Sequence, residues 1–267
     1  MPISLSQYGS VALVTGASSG IGEAFCRTLA ALGFSLIVVA RREDRLQALK
    51  RELEERHGVR VVPVVLDITS ADAAKRVAAV VEAEGMNVDV LVNNAGFGLL
   101  GKVESPEHER AVGMVDLNCR AVVDFTYHFL PAMKTRRRGA VIIVSSVVGS
   151  IPVPWFAIYG ATKAFDLYFG EALYGECHGT GVDVLTVLPG LTKTEFQGGA
   201  GLREYHSPYR TAQQVVDTAL RALGRKPIVV DGVFNKMLVH GTRFVPRGIL
   251  TLVSRLVMKK ELGGTVR

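Results

Sequence analysis

Cysteine is scarce in this chain. Cys26, Cys119 and Cys177 are its only three in 267 residues, far apart, with no CxxC spacing and no histidine set beside them. That argues against a disulfide framework and a zinc site, so no metal is expected and a reducing, cytoplasmic setting is implied. Long apolar runs are missing too, and nothing approaches the roughly 20 residues that a membrane-crossing helix needs. The opening "MPISLSQYGSVALVTG" lacks the positive stretch and longer apolar core of a signal peptide, so a soluble protein is expected. There is no internal repeat, no low-complexity tract and no linker, which leaves one domain over 1–267. Acidic residues are outnumbered by Lys and Arg, 25 to 31, yet the cations are dispersed. Their densest cluster, "KTRRRG" at Lys134 to Gly139, directly precedes an apolar strand and reads as a solvated loop. No nucleic-acid partner is therefore expected.

What the chain does have is apolar residue in quantity, 48% of the total, enough for a substantial core. It is dealt out in short β-branched runs: "VALVT" (11–15), "SLIVVA" (35–40), "RVVPVVL" (60–66), "VDVLVN" (88–93), "AVIIVS" (140–145), "VDVLTVL" (182–188) and "IVVD" (228–231). These are continuous rather than alternating in polarity, as befits strands covered on both faces, and the spacers are long enough for crossover helices. One spacer, "EDRLQALKRELEERHG", carries Leu46, Leu49 and Leu53 at helical spacing and Gly58 as a stop. Repeated βαβ units predict an α/β fold, a doubly wound parallel sheet of seven strands between two helical layers. Pro63 in the third run removes a ladder donor and belongs at a sheet edge, which is where the order 3-2-1-4-5-6 puts the third strand.

After the first strand comes "TGASSGIGEAF", with Gly16, Gly20 and Gly22 leading into an apolar helix. A glycine-rich strand-to-helix turn lets backbone amides approach a pyrophosphate at the helix N-terminus, and Ser18, Ser19 and Ile21 share that turn. The spacing is GxxxGxG rather than GxGxxG. At the end of the second strand, where an acid would hold the ribose of NAD, stands Ala40, followed by Arg41 and Arg42. Guanidinium groups there suit the extra phosphate of NADP, with Arg41 the first candidate.

Together these residues resemble the short-chain dehydrogenase/reductase family. Beyond "TGASSGIG" the resemblance takes in "NNAG" at Asn93 to Gly96, "LN" ending at Asn118, Ser146 in "VIIVSS", "YGATK" at Tyr159 to Lys163 and "PGLTKT" at 189–194. It spans about residues 8–195 and implies a Rossmann fold. It also implies that Asp67 contacts the adenine, that Asn94, Ala95 and Gly96 line the cofactor, and that Pro189, Gly190, Thr192 and Thr194 lie near the nicotinamide carboxamide. Of the two adjacent serines, which point to opposite faces of a strand, the family spacing selects Ser146, with Ser145 a structural hydroxyl.

The chemistry so implied is carbonyl reduction or the reverse alcohol oxidation, with NADP(H) exchanging the hydride and Tyr159 the proton. Lys163, one helical turn on, supplies a positive charge that lowers the phenol's pKa and, by the resemblance, bonds the nicotinamide ribose. Ser146 bonds the substrate oxygen, and Asn118 holds a water that completes a proton relay. Against this stands a noncatalytic NADP(H) sensor or scaffold on the same fold. The helices at about 105–133 and 157–178 are those the family pairs into homodimers or homotetramers.

A polar, glycine-rich segment at about 191–211 occupies the place of the family's substrate lid. Thr211 and Gln214 form a capping box at the helix that follows. Val147, Val148, Pro152, Val153, Trp155 and Phe156 are expected to form one wall of the pocket. The tail at about 233–262 resembles the long-chain β-ketoacyl and hydroxysteroid reductases, which favours an apolar carbonyl substrate. In it Ile249, Leu250, Leu252, Val253, Leu256 and Val257 form an apolar stripe among Arg247, Arg255, Lys259 and Lys260. That stripe is expected to pack on the chain's own domain or a second subunit, the alternatives being a peripheral membrane contact and a cover over an apolar tunnel.

Overall fold

The computed structural model describes residues 5–104, 108–200 and 210–261. Strands and helices alternate: β1 (Val11–Thr15), α1 (Gly20–Ala31), β2 (Ser35–Ala40), α2 (Glu43–His57), β3 (Val61–Val65), α3 (Ala73–Ala83), β4 (Val90–Asn93), α4 (His108–Val115), α5 (Ala121–Arg136), β5 (Gly139–Val144), α6 (Ala157–Cys177) and β6 (Val182–Leu188). Then follow β7 (Thr192–Lys193), α7 (Phe196–Gly199), β8 (Arg210–Thr211), α8 (Ala212–Ala222), β9 (Ile228–Val230), α9 (Val233–Gly241) and α10 (Arg247–Glu261).

The seven apolar runs form one parallel sheet, ordered β3-β2-β1-β4-β5-β6-β9. Alternate residues of each strand feed opposite cores. Ala12, Val14, Leu36 and Val38 pack under α1, α2 and α8, while Leu13, Ile37, Val39 and Leu91 pack under α3, α5 and α6. Leu46, Leu49 and Leu53 are the buried residues of α2, which stops at Gly58 with a left-handed φ of 65°.

Pro63 sits at the sheet edge, opposite Val38. Leu66 N–H bonds the Ala40 carbonyl and the Arg60 carbonyl accepts from Leu36, so even-numbered β3 residues face β2 and odd ones face outward. The proline thus lacks its N–H on the outer side, while the outward N–H of Val61 donates to the Glu54 carboxylate at 3.0 Å.

Two features depart from the sequence reading. The helix expected at 105–133 is interrupted by a π-helical turn at Asp116–Arg120 and continues to Arg136, its first residues, 105–107, lying outside the described ones. β7 and β8 pair as a small parallel ladder, Thr192 with Arg210 and Lys193 with Thr211, and so tie together the two ends of the lid segment. Of that segment, 201–209 lie outside the described residues. Its C-terminal anchor is strong: Arg210 donates to Asp231 through two bonds of 2.9 and 2.8 Å, and Thr218 adds a third at 2.7 Å. The Thr211 and Gln214 capping box forms as expected.

Candidate active site

A cavity of about 970 Å³ runs along the C-terminal ends of the sheet strands, from the glycine turn to α10. Every expected cofactor or catalytic residue lines it except Gly22 and Asn118. Gly22 works from behind, because a Cβ there would lie 2.3 Å from the Gly16 carbonyl oxygen and 2.4 Å from Asn94 Nδ2. Asn94 Nδ2 in turn donates to the Thr15 carbonyl at 2.8 Å, tying β4 to the turn. Gly16 and Gly20, at φ of 67° and 60°, supply the left-handed bends that let the turn's amides face the cavity.

Arg42 reaches across this turn. It donates to Ser19 Oγ at 2.7 Å and Ser18 Oγ at 3.1 Å, and pairs with Glu195 at 2.8 Å. Arg42 and then Arg45 hold the Glu195 carboxyl below its ordinary pKa. Arg41, first candidate in the sequence reading, is 76% exposed in its side chain and lies 3.6 Å from Asp67 Oδ2. Asp67 Oδ1 meanwhile accepts from Thr69 N–H and Oγ1.

Deeper in, α6 supplies Tyr159 and Lys163 from successive turns. Tyr159 is buried between the rings of Phe156 and Phe196, each 5.5 Å away centroid to centroid. Lys163 Nζ donates to the Val144 carbonyl and to Asp166 Oδ2, both at 2.9 Å. Ser145 donates to the Lys163 carbonyl at 2.7 Å and so latches β5 to α6. Ser146 faces the cavity and its hydroxyl accepts from Val148 N–H.

Asn118 sits within the π turn, fully buried. A π turn inserts a residue into the helical repeat and is commonly found where a side chain must be re-aimed at a functional site. Both Nδ2 hydrogens are committed, to the Phe97 carbonyl and Thr162 Oγ1 at 3.0 Å each, and Oδ1 accepts from Phe97 N–H. Gly96 lies between Asn118 and Lys163, where a Cβ would be 3.0 Å from the amide oxygen and 3.5 Å from Nζ.

Lys163 lowers the Tyr159 pKa as expected, but the net shift is upward. Burial raises the Tyr159 pKa above its ordinary value, and Lys163 and the Ser146 hydroxyl offset this only in part. A smaller upward push comes from Asp166, which the sequence reading passed over. Buried at the i+3 position, it pairs with Lys163 at 2.9 Å and itself pushes the phenol upward. Burial favours neutral Lys163, yet Asp166 and Tyr159 outweigh it and hold the ammonium charged.

The expected pocket wall is also adjusted. Val147, Val148, Val153 and Phe156 line the cavity and Pro152 does not. Trp155, at a left-handed φ of 63°, turns into a separate cleft beside Leu99 and Met114. The cavity's far end is instead closed by the tail helices, through Phe234, Leu238, Leu250, Val253, Val257 and Met258. The tail helices thus border the cavity, while much of their apolar surface stays exposed.

Comparison with known proteins identifies the family. The family described as "short chain dehydrogenase" matches residues 10–204. The 7beta-hydroxysteroid dehydrogenase of Collinsella aerofaciens is 35% identical over 239 residues, 88% of this chain and 90% of that protein. The NADP-dependent 3-hydroxy acid dehydrogenase YdfG of Escherichia coli is 39% identical over 191 residues, 70% of this chain and 74% of its own. A solved 7beta-hydroxysteroid dehydrogenase superposes with a TM-score of 0.85 at 32% identity, covering 93% of this chain and 97% of its own. A short-chain dehydrogenase from Sphingobium yanoikuyae in complex with NADPH superposes at 0.78 and 30% identity, covering 88% and 93%. With a family match over most of its length and relatives this similar, the chain belongs to the short-chain dehydrogenase family.

Proposed function

We propose that this protein is an NADP(H)-dependent oxidoreductase that interconverts a ketone and a secondary alcohol on a mainly apolar substrate, such as a β-ketoacyl chain or a steroid. The observation that carries the reading is the placement of Tyr159, Lys163 and Ser146 at the middle of one cavity, whose polar end is the glycine turn and whose far end is apolar.

The glycine turn and α1 N-terminus suit a pyrophosphate, and Arg41 and Arg42 at the neighbouring strand end suit a 2′-phosphate. Lys163 and the loop at Pro189 to Thr194 would hold the nicotinamide half. When bound, the nicotinamide supplies or accepts the hydride, and its oxidised form is positive. Tyr159 gives a proton to the substrate oxygen or takes one from it. Ser146 orients that oxygen by hydrogen bonding, and Lys163 stabilises the phenolate that remains. Because burial outweighs the pull of Lys163 and Ser146, Tyr159 by itself favours the protonated form, the state that reduction of a carbonyl requires.

Val148, Val153 and Phe156 on one side and Leu250, Val257 and Met258 on the other give the substrate end an apolar lining. Homo-oligomerisation fits α5 and α6, which expose Tyr127, Phe165 and Tyr168. A carbonyl panel followed by NADPH absorbance, with NADH as control, tests the activity. Tyr159→Phe should abolish turnover while NADPH still binds by fluorescence titration, and substantial residual turnover would rule the proton donor out.

A further inference from the structure

From Val233 to Glu261, the span of α9 and α10, the chain carries Lys236, Arg243, Arg247, Arg255, Lys259 and Lys260 and a single acid, the terminal Glu261. Lys236, Arg243, Arg247, Arg255 and Lys259 are exposed, and none of the five makes an ion pair within 4.0 Å among the described residues, although Lys236 acts on Asp231 at longer range. The same segment holds the densest collection of exposed apolar side chains in the structure. Val233, Phe234 and Met237 stand out from α9, Phe244 is 88% exposed in the turn that follows, and Leu252 and Leu256 are 62% and 66% exposed on α10.

The two sides of α10 differ in use but not in polarity. Leu250, Ser254 and Met258, spaced by four, face the cavity, and Met258 is the buried anchor. Ile249, Leu252 and Leu256 form a second stripe that faces out, with Arg255 and Lys259 along its edge. An apolar stripe bordered by cations is the composition of a helix that lies in a membrane interface. No helix among the described residues is long and apolar enough to cross a bilayer.

We propose that α9, α10 and the turn between them form a docking surface for an anionic lipid membrane. Charge decides the occupant. Against a second copy of itself across a two-fold axis, this surface would set its five exposed cations against five, with Glu261 at the end of α10 the one acid in the segment. Against anionic headgroups every one of those cations gains, and the apolar stripe enters the acyl boundary. The docking itself does not depend on the substrate. If the apolar-substrate reading also holds, the roof of the cavity lies on the lipid, and a lipid-dissolved ketone reaches Tyr159 beneath α10 without crossing bulk water.

The test is flotation of the full chain with vesicles of phosphatidylcholine alone or with about 30% phosphatidylglycerol, at low and at about 0.5 M salt. It is read without cofactor or substrate, so its outcome is separate from that of any turnover assay. The protein should float with anionic vesicles, less with neutral ones, and less at high salt. Arg255→Ala with Lys259→Ala should lower partitioning about 30-fold at low salt. Leu252→Ser with Leu256→Ser should lower it roughly tenfold or more. These four side chains do not line the cavity, so thermal melting and turnover of a water-soluble ketone should stay as in the parent. Absence of flotation on anionic vesicles would overturn the proposal. So would flotation that neither double variant changes, or a Leu252→Ser/Leu256→Ser protein whose mass by light scattering falls to a smaller oligomer, since the stripe would then be a contact between copies.

Discussion

Replacing Lys163 by Met should do two separable things, and the second is the more informative. Turnover should vanish, as for any loss of the charge beside Tyr159. The fold should also weaken, because Asp166 then remains buried with no cation. Across the 2.9 Å between Nζ and Oδ2, an effective dielectric of about 20 gives an attraction of about 6 kcal/mol. Removing one partner of such a buried pair typically costs about 3–5 kcal/mol, or about 6–20 °C in Tm for a domain this size. Asp166 Oδ1 already lacks a hydrogen-bond partner, so nothing local stands ready to compensate. Asp166→Asn in the same chain removes the stranded charge and should restore most of the lost Tm while leaving turnover absent.

The pH dependence follows with a definite sign. Burial lifts the Asp166 pKa above its ordinary 3.8 even with Lys163 present, and Lys163→Met lifts it further. The native state then binds more protons than the unfolded chain between the two values, so stability falls as pH rises through that window. The Tm deficit of Lys163→Met relative to the double variant should therefore be larger at pH 8 than at pH 5 in differential scanning calorimetry. Equal deficits in single and double variants at both pH values would refute the reasoning.

Other consequences can be checked directly. Arg42→Ala and Arg41→Ala should each weaken NADPH more than NADH in fluorescence titrations, and equal losses for both cofactors would remove the arginine from the phosphate site. Gly22→Ala, whose Cβ would lie 2.3 Å from a backbone oxygen, should cost about 1–3 kcal/mol and lower NADPH affinity at least tenfold. Burial would raise the Asp231 pKa, but Arg210 and Thr218 outweigh it and hold it below its ordinary 3.8. Its contribution is then present above that value and lost as pH falls through the folded one. Asp231→Asn should cost roughly 2–3 kcal/mol at pH 7 and flatten the fall in Tm on acidification, as read by thermal melts between pH 7 and 3.

The parallel sheet was legible in the sequence because strands buried on both faces must be continuously apolar, and its order followed from the dinucleotide-binding arrangement, with Pro63 at the edge. The constellation at 16–22, 93–96, 118, 146, 159–163 and 189–194 was legible because each motif is contiguous, and the structure gathers these segments about one cavity. Asp166 was not, since an acid at i+3 from a lysine on an amphipathic helix reads as a solvated pair, and only the packing of α6 shows it buried. The π turn around Asn118 leaves no periodic mark in eight or ten residues. Trp155 was assigned to the pocket on its apolar character, and its left-handed backbone sends it elsewhere. The relative reach of Arg41 and Arg42 depended on where Ser18 and Ser19 lie across the turn, which residue spacing does not carry.

The outer edge of β3 bears on how the protein behaves when it is abundant. A bare sheet edge recruits other strands, and crowded or partly unfolded chains aggregate along it. Here one outward N–H is absent at Pro63, and the next is taken by Glu54 at Val61. At the opposite edge β9 offers only three residues. Neither border gives an incoming strand a run of free donors, so fibrillar growth by sheet extension has little to start from, and Pro63→Val with Glu54→Ala would create such a starting point at some distance from the catalytic cavity.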